Sequence, residues 1–179
     1  MIKFILGKML RNFGRSNEYD ITYMLEVNDI WPMAALRYLG LTAVSQMKGP
    51  VPEVWAGAIL ASTLDGDCGP CTQLVVDMAV KAGVDEAHII ACLARDFEAA
   101  GPVGLGFRFA EAAISGDILA DALRDEIRAA HGEKAVISCA YAAASGRAYP
   151  VMKRALGHGK ACQRIILGET YHPIVKMRA

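Results

Sequence analysis

Two cysteines separated by a glycine and a proline, Cys68-Gly69-Pro70-Cys71, are the residues of this 179-residue chain best suited to chemistry. A thiolate is a nucleophile, and a second thiol at this spacing can resolve its product by closing a disulfide. Pro70 fits the first turn of a helix, so both cysteines should lie at a helix N-terminus, where free N–H groups lower the pKa of a thiol. The segment predicts a redox site with Cys68 and Cys71 as its catalytic residues, the alternative being two inert buried thiols.

Zinc is a second chemistry that the same cysteines could serve. Cys68, Cys71, His88 and Cys92 follow the spacing C-x2-C-x16-H-x3-C, which is close to that of structural zinc sites. A helix over 69–82 rises about 1.5 Å per residue, so it separates Cys71 from the turn at Gly83 by nearly 20 Å, and His88 lies just beyond that turn. Ligands that far apart cannot share one ion, and we therefore expect no metal site and no other cofactor.

The other cysteines and the histidines carry weaker signals. Three cysteines lie in apolar sequence and are typical of small core side chains: Cys92, Cys139 and Cys162. Four histidines are isolated near helix ends or loops, where a solvated or capping side chain is common: His88, His131, His158 and His172. An odd number of cysteines in a chain of this size favours a reducing compartment, so we expect a cytoplasmic protein.

The elements that must position the cysteines are predicted to be helices. Strands are disfavoured because β-branched runs are short and no Asn-Gly or Asp-Gly pair lies between two alternating apolar stretches. We expect a single all-α domain over 1–179, with an N-terminal helical extension at 1–49 and a core at 50–160. Apolar periodicity and capping signals predict helices at 2–13, 21–28, 32–39, 53–64, 69–82, 86–99, 103–115, 118–130, 133–145 and 149–156.

The first of these helices is amphipathic and basic. Its apolar stripe consists of Ile2, Ile5, Leu6, Met9, Leu10 and Phe13. Such a stripe packs on a core or on a neighbouring subunit, or else lies on a membrane surface. We expect packing on the core or on a neighbouring subunit rather than on a membrane. We also expect a homo-oligomer, because a long apolar stripe outside the core needs a partner.

Composition excludes several classes of partner. Hydrophobic residues make up 54% of the chain, enough for a full core. The 19 basic and 19 acidic residues cancel, so no positive field is available to hold a nucleic acid. Uncharged stretches such as 135–146 fall short of the roughly 18 to 20 apolar residues of a spanning helix, so stable membrane insertion is not expected. Lys8 interrupts the apolar start of the chain, which argues against a signal peptide.

An internal echo links two of the predicted turns. Gly66 and Pro70 recur 80 positions later as Gly146 and Pro150. In each copy the glycine ends one predicted helix and the proline opens the next. The echo is either a decayed helix-hairpin repeat, of which only the first copy has thiols, or a coincidence.

The residues around the cysteines also resemble a known family. The run ASTLDGDCGPC at 61–71, with AVKAGV at 79–84, resembles the core motif of the alkylhydroperoxidase D-like branch of the carboxymuconolactone decarboxylase superfamily. The stretch 135–157 looks like that family's next helical hairpin, and the resemblance covers about 50–160. It implies a bundle built on helix hairpins, assembly into oligomers, and a dithiol in which Cys71 attacks and Cys68 resolves.

Two positions depart from the family pattern. The proton-relay histidine of that branch stands four residues after the second cysteine, where this chain has Val75, and its glutamate stands about twelve residues before the first, where this chain has Ala56. Neither side chain can move a proton. Glu53 and Asp67 are nearby acids, but Glu53 is out of place on its helix and Asp67 would oppose thiolate formation.

Three hypotheses follow. The first is a CxxC-dependent thiol-disulfide oxidoreductase or hydroperoxide reductase, in which an external dithiol restores the thiols. The second is a non-catalytic oligomeric protein of the same fold with a redox-sensitive CxxC. The third is an enzyme of the carboxymuconolactone decarboxylase type. The decarboxylase branch of the superfamily usually lacks a CxxC, which disfavours this hypothesis. A buried acid or histidine within hydrogen-bond reach of the Cys71 sulfur would favour catalysis, whereas a wholly apolar surrounding would favour a structural role.

Overall fold

The structure, a computed structural model, describes residues 1–159 and 164–174, and most of them are helical as the sequence predicts. Among these residues no helix has the length and apolar character needed to cross a membrane. The elements are α1 (Ile2–Ser16), α2 (Thr22–Ile30), α3 (Pro32–Ser45), α4 (Pro52–Asp65), α5 (Gly69–Lys81), α6 (Glu86–Leu93), α7 (Gly101–Ser115), α8 (Leu119–His131), α9 (Glu133–Gly146), α10 (Ala148–Ala155), β1 (Arg164–Leu167) and β2 (Thr170–Pro173).

Helix α4 lies at the centre of the main core and packs against α5, α7 and α9. Its residues from Val54 to Thr63 are all buried. Backbones approach closely where α4 meets α7, since a Cβ on Gly57 would lie 1.9 Å from the carbonyl oxygen of Val103. A Cβ on Gly106 would meet the carbonyl oxygen of Val54 at the same distance. These glycines allow the two helices to touch, and the rigid α4 then supports the start of α5.

A second apolar cluster joins the N-terminal extension to the rest of the chain. It is built from Leu10, Tyr19, Tyr23, Met24 and Tyr38. Side chains of α5 and α10 pack against it, among them Leu74, Tyr149 and Met152. The extension predicted at 1–49 is therefore seated on the helix that begins with the cysteines.

The apolar stripe of α1 is only partly covered. Leu6 and Leu10 are buried, as a core-packing helix requires. Ile2, Ile5 and Met9 are 42, 51 and 54% exposed. One edge of the stripe thus packs on α2 and α3, and the other remains at the surface of the chain.

Two predicted helix ends were wrong. Helix α6 stops at Leu93 rather than at 99, because Arg95 adopts a positive φ of 64° and its guanidinium donates two 2.7 Å hydrogen bonds to the carboxylate of Glu111 in α7. Helix α3 continues past Gly40 to Ser45, although Gly40 was expected to end it. Tertiary contacts decide the first end, and the second shows that a glycine without a left-handed backbone does not stop a helix.

A short hairpin corrects the prediction that strands are absent. Strands β1 and β2 are antiparallel, with Leu167 paired to Thr170 across a turn in which Gly168 has a φ of 57°. The amide of Gln73 in α5 bonds both backbone groups of Ile166 at 2.8 Å. The apolar run of β1 and this side-chain anchor favour a strand, and the anchor has no local signal in the sequence.

Candidate functional site

Helix α5 begins at the cysteine pair. Cys68 is its N-cap residue, and the Sγ atom of Cys68 accepts a 3.3 Å hydrogen bond from the backbone N–H of Cys71. The Cys68 carbonyl accepts hydrogen bonds from both the N–H and the hydroxyl of Thr72, each at 3.0 Å. Pro70 lies in the first turn, as the sequence predicts. Both sulfurs therefore lie where the helix N-terminus stabilises negative charge.

The two sulfurs lie at disulfide distance, 2.13 Å apart. Both side chains are buried, with 1% of Cys68 and 4% of Cys71 exposed. The structure thus brings together the two cysteines that the sequence selects, in the oxidised form of a dithiol.

The turn that precedes α5 is held by α10. Asp67 adopts a positive φ of 51° there. The guanidinium of Arg154 donates hydrogen bonds to the carbonyl oxygens of Gly66 and Asp67, at 3.1 and 2.8 Å. A Cβ on Gly66 would lie 2.1 Å from Cγ of Pro150, so only a glycine lets the turn pack against α10 this closely. These contacts fix the position of Cys68.

A cavity of about 290 Å³ lies beside Cys71, between the N-terminal helices and helices α4 and α5. None of the described residues that line it is charged. Its apolar wall includes Phe13, Leu39, Ile59, Leu74, Val75 and Met78. Four tyrosines complete it: Tyr19, Tyr23, Tyr38 and Tyr149. The cavity gives the Cys71 sulfur a neighbouring space suited to an uncharged organic molecule.

The hydroxyl of Tyr19 contacts the Cys71 sulfur at 3.6 Å. A disulfide sulfur has no hydrogen, so the tyrosine is the donor. The Nζ atom of Lys153 donates a 3.3 Å hydrogen bond to the Tyr19 hydroxyl and lies over the rings of Tyr19 and Tyr23, 4.6 and 5.3 Å from their centroids. Burial raises the pKa of Tyr19, so its phenol keeps its proton at neutral pH. Lysine, tyrosine and cysteine form a continuous polar chain.

The hydroxyls of the other three cavity tyrosines also have hydrogen-bond partners. The hydroxyls of Tyr23 and Tyr38 lie 2.5 Å apart, and burial raises the pKa of both. The Tyr149 hydroxyl lies 2.5 Å from the Ser45 hydroxyl, and the Ser45 carbonyl accepts a 2.7 Å hydrogen bond from the Trp55 indole. These bonds hold the aromatic wall in place.

Comparison of the chain with protein-family models, with curated proteins and with solved structures finds no match. The chemistry of the site is thus inferred from its own residues and from the motif resemblance.

Tyr19 and Lys153 are site residues that sequence reasoning missed. Tyr19 lies in the turn between α1 and α2, and nothing in its neighbourhood marks it. Lys153 did carry a signal, because it follows Tyr149 by four residues and Pro150 by three, which places a lysine on the apolar face of α10. It is only 2% exposed.

The structure places both residues that depart from the resembled pattern in or near the apolar interior. Val75 lines the cavity, and Ala56 is buried in α4 with 2% exposure. The proton-carrying group that contacts Cys71 is therefore a phenol from a different part of the chain.

Two of the remaining cysteines are core residues, as predicted. Cys92 and Cys139 are free thiols with no exposed surface. Burial raises the pKa of each to about 12, so both stay protonated at neutral pH. Cys162 lies outside the described residues.

The histidines show no shared site. His158 pairs with Glu26 at 2.8 Å, His131 ends α8 and His172 lies in β2. His88 lies in α6, and its Nδ1 atom is buried. Within 1–159 and 164–174, no group of three or more acidic, histidine or cysteine side chains could hold a metal ion.

Proposed function

We propose that the protein is a dithiol-disulfide oxidoreductase that reduces organic hydroperoxides with Cys68 and Cys71. One observation carries the proposal: Cys71, at the N-terminus of α5, lines an apolar cavity and is contacted there by a hydroxyl group. The helix terminus activates the thiol, and the cavity admits an apolar substrate to its sulfur.

The reaction has three steps. The Cys71 thiolate attacks the terminal oxygen of the hydroperoxide, the O–O bond breaks, and an alcohol leaves after its oxygen takes up a proton. The Cys68 thiol then attacks the resulting sulfenic acid, which closes the disulfide and releases water. An external dithiol donates two electrons and two protons to restore both thiols and becomes a disulfide itself.

The roles of the two cysteines follow from their surroundings. Cys71 lines the cavity, so a substrate there can reach its sulfur. Cys68 caps the helix and is 1% exposed, which suits a thiol that meets only its partner. This assignment agrees with the resemblance, in which the second cysteine attacks.

We also propose that the helices form a bundle of the alkylhydroperoxidase D-like type. The motif at 61–71 and the two helix hairpins α4–α5 and α9–α10 support this assignment. The chain would be a member of that branch whose relay differs, since Val75 and Ala56 stand at the usual relay positions.

A homo-oligomer is proposed on separate grounds. Large apolar side chains are exposed in the N-terminal region, among them Phe4 of α1 at 73% and Trp31, between α2 and α3, at 61%. Together with the uncovered edge of α1 they form a surface that a second copy would bury. Light scattering at micromolar concentration should give a multiple of the chain mass, and a monomeric mass would contradict the proposal.

The function is tested by peroxide consumption with dithiothreitol as electron donor and cumene hydroperoxide as substrate. We expect turnover by the wild type, and a fall to the uncatalysed rate for Cys71→Ser. Cys139→Ala is the matched control, because it removes a buried thiol away from the cavity and should keep its activity. Peptide mapping after mild oxidation should link Cys68 to Cys71. Linkage without turnover would instead support the non-catalytic, redox-sensitive protein.

A further inference from the structure

We propose that Tyr19 is the catalytic proton donor of this site and that Lys153 is the residue that positions it. The inference rests on the proposed function, and it assigns the proton that the leaving oxygen of a hydroperoxide requires. The structure places Tyr19 Oη 3.6 Å from Cys71 Sγ and 3.3 Å from Lys153 Nζ.

The position of Tyr19 suits proton donation to a bound hydroperoxide. Tyr19 and Cys71 line the same cavity, so a peroxide attacked by Cys71 has its leaving oxygen beside the phenol. An alkoxide is a poor leaving group unless it is protonated as the O–O bond breaks. None of the described residues that line the cavity is a charged proton donor.

The backbone around Tyr19 holds the side chain in this direction. Glu18, immediately before it, has a positive φ of 48°, an unfavourable backbone for a residue with a side chain. The N–H of Tyr19 bonds the carbonyl of Gly14 at 2.9 Å, and a Cβ on Gly14 would lie 3.1 Å from the carbonyl oxygen of Tyr19. The turn is thus packed and hydrogen-bonded in the conformation that points the phenol at the disulfide.

Lys153 orients the phenol through its oxygen. A phenolic oxygen has one proton and two lone pairs. The Lys153 N–H occupies one lone pair, which leaves the Tyr19 proton free to face sulfur or substrate. The same N–H stabilises the negative charge that develops on Oη as the proton leaves. Lys153 is 2% exposed and meets the rings of Tyr19 and Tyr23, so its position is defined by packing.

The proton balance closes through solvent. Cys71 releases its thiol proton when it becomes a thiolate, and Tyr19 gives one proton to the alkoxide as the S–O bond forms. The tyrosinate then recovers a proton from solvent, so no net proton is lost from the site. Sulfur loses two electrons and the peroxide gains them, with no further reactant.

Two probes separate proton donation from packing. The leaving group of cumene hydroperoxide is a basic alkoxide, which needs a proton as the O–O bond breaks. The leaving group of 4,4′-dithiodipyridine is a weakly basic thiolate, which needs no proton. Both are uncharged and aromatic, so both suit the cavity. The reduced protein is mixed with each probe, and the rate of the fast single-turnover phase at Cys71 is measured.

The expected result is a change in the ratio of the two rates. Tyr19→Phe should lower the hydroperoxide rate about 100-fold, the usual contribution of a general acid, and change the dithiodipyridine rate less than about fivefold. Lys153→Met should lower the hydroperoxide rate about tenfold with the same selectivity, because the hydrogen bond that Nζ donates to Tyr19 Oη is lost. Tyr141→Phe, which removes an exposed hydroxyl of α9 away from the cavity, should leave both rates unchanged.

The wild type provides a test that needs no variant to fold. Its hydroperoxide reaction should be slower in deuterated water, and its dithiodipyridine reaction should not. Equal losses with both probes in Tyr19→Phe, or no isotope effect, would overturn the assignment of Tyr19 while leaving the dithiol function intact. A wild type that reacts with dithiodipyridine but never with hydroperoxide would overturn the proposed function and the proton donor together.

Discussion

Two helix hairpins of this protein share a turn pattern and differ in chemistry. The thiol hairpin is α4–α5, and the lysine hairpin is α9–α10. Gly66 and Pro70 stand on either side of the turn in the first hairpin, and Gly146 and Pro150 on either side of the turn in the second, 80 residues later. Helices α4 and α9 pack against each other, and both glycines lie in tight contacts between the hairpins. The two hairpins thus pack against each other at the echoed glycines.

The hairpins differ in what covers the start of their second helix. Cys71 is 4% exposed, under the tyrosines of the N-terminal extension and beside Lys153. Val151, the equivalent position of the lysine hairpin, is 57% exposed. A helix N-terminus alone thus does not make the site. The N-terminal extension, which packs against α5, supplies much of the cavity wall and the Tyr19 hydroxyl.

Transplanting the dithiol tests this difference directly. Ala148→Cys and Val151→Cys, introduced into a Cys68→Ser, Cys71→Ser background, place a CxxC at the start of α10. We expect a disulfide that dithiothreitol reduces, because the spacing is the same. Hydroperoxide turnover should stay at the level of the background variant, since position 151 is exposed and has no covering cavity. Wild-type turnover by the transplanted pair would show that the covering chain is dispensable.

The reactivities of Cys71 in the thiol hairpin and Cys139 in the lysine hairpin provide a second comparison. In the reduced protein at neutral pH, iodoacetamide should modify Cys139 of the lysine hairpin more than about 100-fold more slowly than Cys71. Burial raises the pKa of Cys139 to about 12, so its rate should rise about tenfold per pH unit between pH 7 and 9 as the thiolate fraction grows. Mass spectrometry of quenched samples reads both sites. Comparable rates at pH 7 would contradict the contrast.

The contact between the two turns is tested by Gly66→Ala. The new Cβ would lie 2.1 Å from Cγ of Pro150, so the hairpins must move apart, and we expect a loss of about 1–3 kcal/mol in the free energy of unfolding. Urea denaturation followed by circular dichroism measures it. Pro150→Ala in the same chain should recover part of the loss by removing the nearest atom, and an additive pair of effects would argue against the contact.

Two arginines of the lysine hairpin offer a finer comparison. Arg154 bonds the backbone of the turn before Cys68, whereas Arg147 makes a surface ion pair with Asp65 at 2.7 Å. Arg154→Met should cost about 1 kcal/mol of stability, and Arg147→Met less than about 0.5 kcal/mol. Thermal unfolding of the two variants checks the order. The reverse order would mean that the turn does not depend on Arg154.

Local sequence signals predicted much of the fold and half of the candidate site. Pro70 and the polar turn before it define the start of α5 because a proline has a fixed φ and lacks an N–H, which are properties of the residue itself. The end of α6 was missed because Arg95 leaves the helix to pair with Glu111, 16 residues away. The β-hairpin was missed for the same reason, since its anchor Gln73 is 93 residues from Ile166.

The sequence by itself determined a mostly helical chain and two cysteines at a helix N-terminus, because periodicity, capping and the CxxC spacing act over a few residues. Only the tertiary structure decided what surrounds those cysteines. Tyr19 and Lys153 stand 52 residues before Cys71 and 82 residues after it in the chain, and no local pattern joins them. Their contact arises from the burial of one aromatic cluster by helices distant in sequence, and burial depends on the whole fold.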